Sequence, residues 1–121
     1  ILKDIENDLI SIIEKAVNSK IFIIDSFFNI LREGGGTTPH KHINQFDKTS
    51  GLIKNKFSMT YYLSVGDQSS SEPGILKLYD PDYEILPENG TIVIIPASRS
   101  HSAIYNGKLD RVMIGINFYS I

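Results

Sequence analysis

The chain has 121 residues, a net charge of −2 and an isoelectric point of about 5.9, so it can form one domain, and no basic surface points to nucleic acid. It has no cysteine, which excludes a disulfide scaffold, a thiolate metal site and a cysteine nucleophile. Its apolar runs are far shorter than the ~20 residues that cross a bilayer, and no signal peptide is visible. We therefore expect a cytoplasmic protein that binds neither nucleic acid nor membrane, and the initial Ile1 indicates a fragment or a processed form.

The N-terminal segment predicts one amphipathic helix. Apolar residues recur at helical spacing, at Ile5, Leu9, Ile12 and Ala16. We place this helix at residues 3–18, with Asp4 as its N-cap, and expect it to cover the outer face of a sheet.

The remainder, residues 20–121, predicts a β-core. The segment 21–31 indicates one or two strands, and further apolar segments between turn-forming residues bring the total to about eight. Because no crossover helices separate them, we predict a single antiparallel sandwich or barrel. We interpret the glycine run 34–36 and the polar stretch 47–57 as loops.

Two predicted strands have one polar or mixed face. In the first, the hydroxyl side chains of Ser58, Thr60 and Tyr62 alternate with apolar residues. In the last strand, an apolar face opposes a face that contains Arg111 and Asn117. Such faces either meet water or line a pocket for a polar small molecule. A buried guanidinium at Arg111 needs an anionic partner, and a local pair with Asp110 is the alternative.

The three histidines of the chain indicate a metal site. His40 and His42 lie two apart in an extended segment, so both can reach one ion. His101 precedes Arg111 by ten positions, with an Asn-Gly turn between them, and we expect these two residues on one wall of a sheet. Unconnected surface histidines are the alternative.

Several motifs together resemble a known family. In chain order they are His-x-His at 40–42, Tyr-Tyr-Leu at 61–63, Gly-x-Leu-x-Leu-Tyr-Asp-Pro at 74–81, Pro-x-x-Gly-x-x-Val-x-x-Pro at 87–96, His101 with Arg111, and Asn-Phe at 117–118. This series, over residues 26–120, resembles the Fe(II)/2-oxoglutarate dioxygenases, most closely the small oxygenases of marine bacteria and phages and more distantly the prolyl hydroxylases.

The resemblance implies a fold, a cofactor and a reaction. The fold would be a mainly β double-stranded β-helix, a cupin-like jelly roll. Iron would be held by His40, His42 and His101, and 2-oxoglutarate by Arg111, Tyr62 and Asn117. With O2, such an enzyme hydroxylates a small-molecule or peptide substrate and releases succinate and CO2.

One departure from the family concerns the second ligand. Most members have His-x-Asp, and His42 stands where the aspartate is usual. Either three histidines bind the metal or Asp47 supplies the carboxylate. We favour three histidines, in which case Asp47→Asn is expected to be tolerated.

Two other functions remain open. A cupin spacing also matches through Gly34, His40, His42 and Asp47, with Asp for the usual Glu. The second cupin motif half matches through Gly90, Pro96 and His101, with Ser98 where glycine is usual. The cupin hypothesis predicts a metal-binding protein or enzyme without 2-oxoglutarate. It leaves Arg111 unexplained. A jelly-roll binding module without catalysis is the third hypothesis. A homodimer through the helix or an edge strand is compatible with the sequence.

Overall fold

The computed structural model describes residues 2–121, which form two antiparallel sheets and a covering helix. The elements are α1 (Leu2–Val17), β1 (Ile21–Leu31), β2 (Gly35–His40), α2 (Gln45–Ser50), a 3-10 turn (Ile53–Asn55), β3 (Lys56–Ser64), β4 (Leu76–Leu78), β5 (Tyr83–Ile85), β6 (Ile92–Pro96), β7 (His101–Tyr105) and β8 (Arg111–Ser120). One sheet has the order β1-β8-β3-β6 and the other β2-β7-β4-β5. This is a jelly roll, as predicted. Within residues 2–121 no helix is long and apolar enough to span a membrane.

The main apolar cluster lies outside the sandwich, between α1 and the first sheet. Leu9 and Ile13 of α1 pack against a group of buried residues on β3 and β8, namely Met59, Ile114, Ile116 and Phe118. The Ser26 hydroxyl also donates to Glu6 of the helix at 2.6 Å. The helix therefore covers an outer face, as predicted. It begins at Leu2, which puts Asp4 in the first turn, so the N-cap assignment was wrong.

Strand β8 separates this core from the space between the sheets. It pairs with β1 on one side and with β3 on the other. Ile114, Ile116 and Phe118 point toward α1, whereas Arg111 and Met113 on the opposite face line an internal cavity. The two faces predicted for this strand are thus confirmed.

The two predicted loops contain regular structure. Strand β2 begins inside the glycine run, where a Cβ on Gly36 would lie 2.3 Å from the Ala103 carbonyl oxygen of β7. Glycine is needed there because the two backbones approach closely. In the second stretch, Asn44 and Asp47 form a reciprocal capping box on α2, and Gly51 ends that helix with φ of 76°.

The segment between His101 and Arg111 does not form a hairpin. Strand β7 belongs to the second sheet and β8 to the first. The Tyr105 hydroxyl fixes the crossing, since it accepts from the Asp67 amide at 2.8 Å and donates to the Leu109 carbonyl. His101 and Arg111 therefore face one cavity from opposite sheets, and their expected position on one wall was wrong.

The sandwich is closed along one side by apolar residues. Leu76 and Leu78 of β4 pack against Ile95 of β6, which joins the two sheets at that side. Strands β1 and β2 are the outer strands at the other side, and both contribute residues to the cavity.

We expect Ile13→Ala to lower the free energy of unfolding by about 2–5 kcal/mol, because it leaves a void in the helix-to-sheet core. Ile13 has no exposed surface, whereas its neighbour Ile12 is 46% exposed. Ile12→Ala is therefore the control and should change stability little. Urea unfolding measures both, and equal effects of the two variants would contradict this description of the core.

Candidate metal centre

A cavity of about 250 Å³ lies between the two sheets. His40, His42, His101 and Arg111 line it, together with the inner face of β3, which contributes Ser58, Thr60 and Tyr62. The hydroxyl-bearing face of β3 therefore lines a pocket. Of the described residues, no aspartate or glutamate is among those that line this cavity.

The three histidines form one cluster. Their nearest ligand atoms all lie within 4.8 Å of one another, and Nε2 of His42 is 3.0 Å from Nε2 of His101. Two nitrogens bound at right angles to one metal, each at about 2.1 Å, stand about 3.0 Å apart. The spacing therefore suits one ion, and without a metal it suits a hydrogen bond between the two rings.

Two of the rings are oriented by backbone carbonyls. Nδ1 of His40 is 2.9 Å from the Thr38 oxygen, and Nδ1 of His101 is 3.1 Å from the Arg99 oxygen. Because a carbonyl only accepts, each Nδ1 must be protonated, and Nε2 of the neutral ring keeps its lone pair. This is the usual arrangement of a metal-binding histidine.

The surroundings favour the neutral form of His42 and His101. Burial is the largest cause that lowers the pKa of His42 to about 4, and the adjacent His101 and His40 contribute to the same shift. Burial also lowers the pKa of His101. Neutral imidazole is the form that binds a metal, so the donor set fits a divalent ion of the iron, cobalt or zinc type.

Asp47 is not part of this cluster. Its Oδ2 accepts from Lys56 Nζ at 2.9 Å and from the Asn44 amide at 2.8 Å, and its Oδ1 accepts from the Tyr119 hydroxyl. Burial alone would raise the pKa of Asp47, but these hydrogen bonds outweigh it and lower the pKa. Both carboxylate oxygens are engaged, in a buried ion pair and a helix cap, so Asp47 stabilises the fold and has no oxygen directed at the histidine cluster.

Arg111 is buried and has no carboxylate partner among residues 2–121. Its guanidinium donates to the backbone oxygens of Val65 at 3.1 Å, Gly74 at 2.8 Å and Pro73 at 2.7 Å. Asp110, the alternative partner, instead lies 3.6 Å from Arg32. Three of the five N–H donors are thus used, and two remain for another acceptor.

Two tyrosine rings enclose the guanidinium. The Arg111 Cζ atom lies 5.6 Å from the Tyr62 ring centre and 4.8 Å from the Tyr105 ring centre. Burial lowers the pKa of Arg111, and it raises the pKa of Tyr62. At neutral pH the site therefore presents a desolvated cation beside a neutral phenol, which suits an anionic ligand.

Asn117 is not brought to Arg111. It faces the same side of β8 but lies near the other end of the strand, where its Nδ2 donates to Asp25 at 2.8 Å. Its own Oδ1 is buried and lacks a hydrogen-bond partner. Asn117 is therefore not among the residues that contact the Arg111 guanidinium.

Two glycines that the sequence analysis did not single out shape the cavity. A Cβ on Gly74 would lie 2.2 Å from Arg111 Nη1, and a Cβ on Gly115 would lie 2.5 Å from the Phe27 ring. The first allows the loop to contact the guanidinium, and the second lets the Phe27 ring lie across β8. Gly74 begins one of the family-like motifs, and Gly115 has no sequence signal beyond its position within a strand.

The fold is similar to those of solved oxygenases and cupins. A prolyl hydroxylase of Trichoplax adhaerens, solved in complex with a peptide fragment of the hypoxia inducible factor oxygen degradation domain, superposes with a TM-score of 0.72 and 16% identity over 98% of this chain and 56% of its own. A 2OG-Fe(II) oxygenase family oxidoreductase of Burkholderia pseudomallei gives 0.67 and 12% over 91% of this chain and 49% of its own. A cupin domain of Bordetella pertussis gives 0.50 and 14% over 84% of this chain and 94% of its own.

At these identities the similarity establishes the fold. The chain spans about half the length of the two oxygenases. No protein-family model matches the sequence, and no curated protein matches it.

The position of Asp47 changes the expected effect of its substitution. Asp47→Asn should lower the free energy of unfolding by about 3–5 kcal/mol, because it leaves the Lys56 ammonium buried without its counter-charge. The tolerance expected from the sequence followed from a three-histidine metal site and did not consider the buried contact between Asp47 and Lys56. Asp8→Asn, at an exposed helix position, is the control and should be nearly neutral. Equal melting temperatures for Asp47→Asn and the unmodified protein would contradict the buried ion pair.

Proposed function

We propose that the protein is a non-haem Fe(II) enzyme that uses 2-oxoglutarate and O2 to hydroxylate a small-molecule or peptide substrate, with release of succinate and CO2. The observation that carries this proposal is the buried Arg111 without a carboxylate partner, in the same cavity as three metal-competent histidines. A cation in that position is costly unless an anionic ligand accompanies it during function.

His40, His42 and His101 would hold the iron. Bound iron would supply the activation of O2 that a C–H hydroxylation requires. Imidazole ligands carry no charge, so the ion would keep its full charge in the cavity, and an anionic chelate would stabilise it. The protein's part is to orient the rings of His40 and His101 through the carbonyls of Thr38 and Arg99.

Arg111 would bind the far carboxylate of 2-oxoglutarate. Its two remaining N–H donors and the adjacent Tyr62 hydroxyl are the groups available for that carboxylate. The three backbone carbonyls fix the plane of the guanidinium, so that little ordering is needed when the ligand binds. Apolar wall residues such as Met113 and Leu76 would exclude water from the reacting atoms.

Other features of the proposal rest on the similar proteins. The Trichoplax adhaerens prolyl hydroxylase was solved with a peptide, which supports a peptide among the possible substrate classes. Phe27 of β1 and Thr37 of β2 also line the cavity and would contact a substrate bound there.

A cupin-type metal enzyme that does not use 2-oxoglutarate is the second candidate. The all-histidine cluster and the similarity to a cupin domain of nearly the same length favour it. It gives Arg111 only a structural role as a clamp on three carbonyls. A binding module without catalysis shares the same fold and predicts neither metal nor 2-oxoglutarate binding.

Anaerobic titration separates these functions. We expect Fe(II)-loaded protein to develop a weak visible charge-transfer band that saturates with 2-oxoglutarate. Iron binding without a band would favour the cupin-type enzyme, and no iron binding would favour the binding module.

Arg111 variants test the carboxylate site. Arg111→Ala should abolish the band while leaving metal binding, measured by metal analysis, nearly intact. Because Arg111 also holds three carbonyls, Tyr62→Phe is the milder second variant and should weaken 2-oxoglutarate about 5-fold or more through loss of one hydrogen bond. Equal loss of metal and 2-oxoglutarate in Arg111→Ala, with Tyr62→Phe unchanged, would refute the assigned role.

A histidine variant tests the metal ligands. His101→Ala should reduce Co(II) affinity by at least about 100-fold, because it removes one of three protein ligands. Lys41→Ala is the matched control, since Lys41 lies between His40 and His42 but is exposed. Isothermal titration with Co(II) measures both, and retained stoichiometric binding by His101→Ala would contradict the ligand assignment.

A further inference from the structure

His42 differs from the other two histidines in how it is held. Nδ1 of His40 and Nδ1 of His101 each lie within hydrogen-bond distance of a backbone carbonyl. In the described part of the chain, the only hydrogen bond of the His42 ring is the one between its Nε2 and His101. Apart from this hydrogen bond, its ring packs against the rings of His40 and His101, at centroid distances of 4.9 and 4.8 Å, so the backbone around His42 contributes to holding it in place.

The backbone of His42 is tied to β3 through β6. The His42 amide donates to the Ala97 carbonyl at 2.8 Å, and the Ala97 amide donates to the Lys56 carbonyl at 3.0 Å. Ala97 follows directly on β6, and Lys56 is the first residue of β3. These two hydrogen bonds connect the end of the metal-binding segment to the first sheet.

The side chain of Lys56 contacts the segment that follows His42. Its ammonium donates to Asp47 Oδ2 at 2.9 Å, and the same carboxylate accepts from the Asn44 amide at 2.8 Å. Asn44 completes the capping box by accepting from the Asp47 amide at 2.9 Å. Asn44 lies two residues after His42. The hydrogen bonds from His42 through Ala97, Lys56 and Asp47 to Asn44 are therefore closed into a cycle by the peptide bonds of residues 42–44, and we call this cycle the hydrogen-bonded ring.

The two charged side chains of the hydrogen-bonded ring, Asp47 and Lys56, are buried. Asp47 has no exposed surface and Lys56 is 6% exposed. The Tyr119 hydroxyl donates to the second oxygen of Asp47, so no oxygen of that carboxylate is left without a partner. An ion pair this deeply buried stabilises a fold little compared with apolar side chains of the same size. Its contribution is a set of directional hydrogen bonds in which every oxygen of Asp47 has a partner, and these bonds favour one arrangement of the segment 42–44.

We propose that the Asp47–Lys56 pair is the positioning device for His42 and thereby sets the metal affinity of the site. This inference rests on the proposed metal function, and neither residue belongs to the histidine cluster. Its role is to act through Asn44 and Ala97 on the one ligand that lacks a carbonyl partner for its ring. Supporting groups of this kind typically change metal affinity 10–100-fold.

Two variants break the ring. Lys56→Met removes the connection but leaves Asp47 with its other two partners. The double variant Asp47→Asn/Lys56→Met removes both charges together, which avoids an unpaired buried ion and keeps the fold stable. Each should weaken Co(II) binding about 10-fold or more and shift the visible d–d absorption of the bound ion, because His42 no longer has one fixed position.

Ile13→Ala is the matched control. It destabilises the protein from the core under α1, on the outer face of the first sheet, without removing any of the hydrogen bonds between His42 and Asp47, and should leave Co(II) affinity and absorption unchanged. Affinities are measured by competition with a chromophoric chelator at a temperature where every variant is folded. Lower affinity in both ring variants with unchanged binding in Ile13→Ala would establish the positioning role.

Two results would overturn the proposal, and they are distinguishable. If the unmodified protein binds Co(II) and the ring variants bind it with the same affinity and spectrum, the positioning role is wrong and the metal site stands. If the unmodified protein binds no Co(II), the proposed metal function fails and this inference fails with it.

Discussion

Apolar packing between α1 and the outer face of the first sheet is the interaction on which the rest of the structure depends. Leu9 and Ile13 bury Ile114, Ile116 and Phe118 of β8 from the outside. This burial provides a core without filling the space between the sheets. The sandwich can therefore keep an internal cavity in a chain of only 121 residues. A jelly roll packed through its middle would have no place for the histidine cluster.

The cavity has an uneven distribution of charge. Its polar groups are imidazoles, hydroxyls, the Asn29 amide and one guanidinium, and the described lining residues include no acid. The acidic group nearest in sequence to the histidines, Asp47, is committed to Lys56. The absence of acids from the described lining agrees with an anionic ligand at Arg111, because a carboxylate inside the cavity would compete with that ligand for the guanidinium. Among the described lining residues, Arg111 thus carries a positive charge that no acid in the cavity balances.

Much of the fold followed from periodicity in the sequence. The alternation along β3 and β8 identified their faces, and the census of histidines identified the cluster. The crossing between β7 and β8 could not be predicted, since the Asn106-Gly107 pair is typical of a hairpin and only the contacts of Tyr105 decide otherwise. Helix α2 was missed because its capping box uses Asn44 and Asp47 where serine or threonine with glutamate is usual. The buried position of Asp47 could not be predicted, because it depends on side-chain contacts with Lys56 and Tyr119, which lie 9 and 72 residues away in the sequence.

The contacts of Arg111 also bear on how the chain can vary. The guanidinium is held by main-chain oxygens of Val65, Pro73 and Gly74, at the two ends of the loop between β3 and β4. Side chains between those ends contribute nothing to this anchorage. The loop can therefore exchange most of its residues while the guanidinium keeps its place. Gly66 and Gly74 are exceptions, because a side chain at Gly66 would collide with the Tyr105 hydroxyl and one at Gly74 with the guanidinium. Sequence change along this loop can therefore leave the surroundings of Arg111 intact.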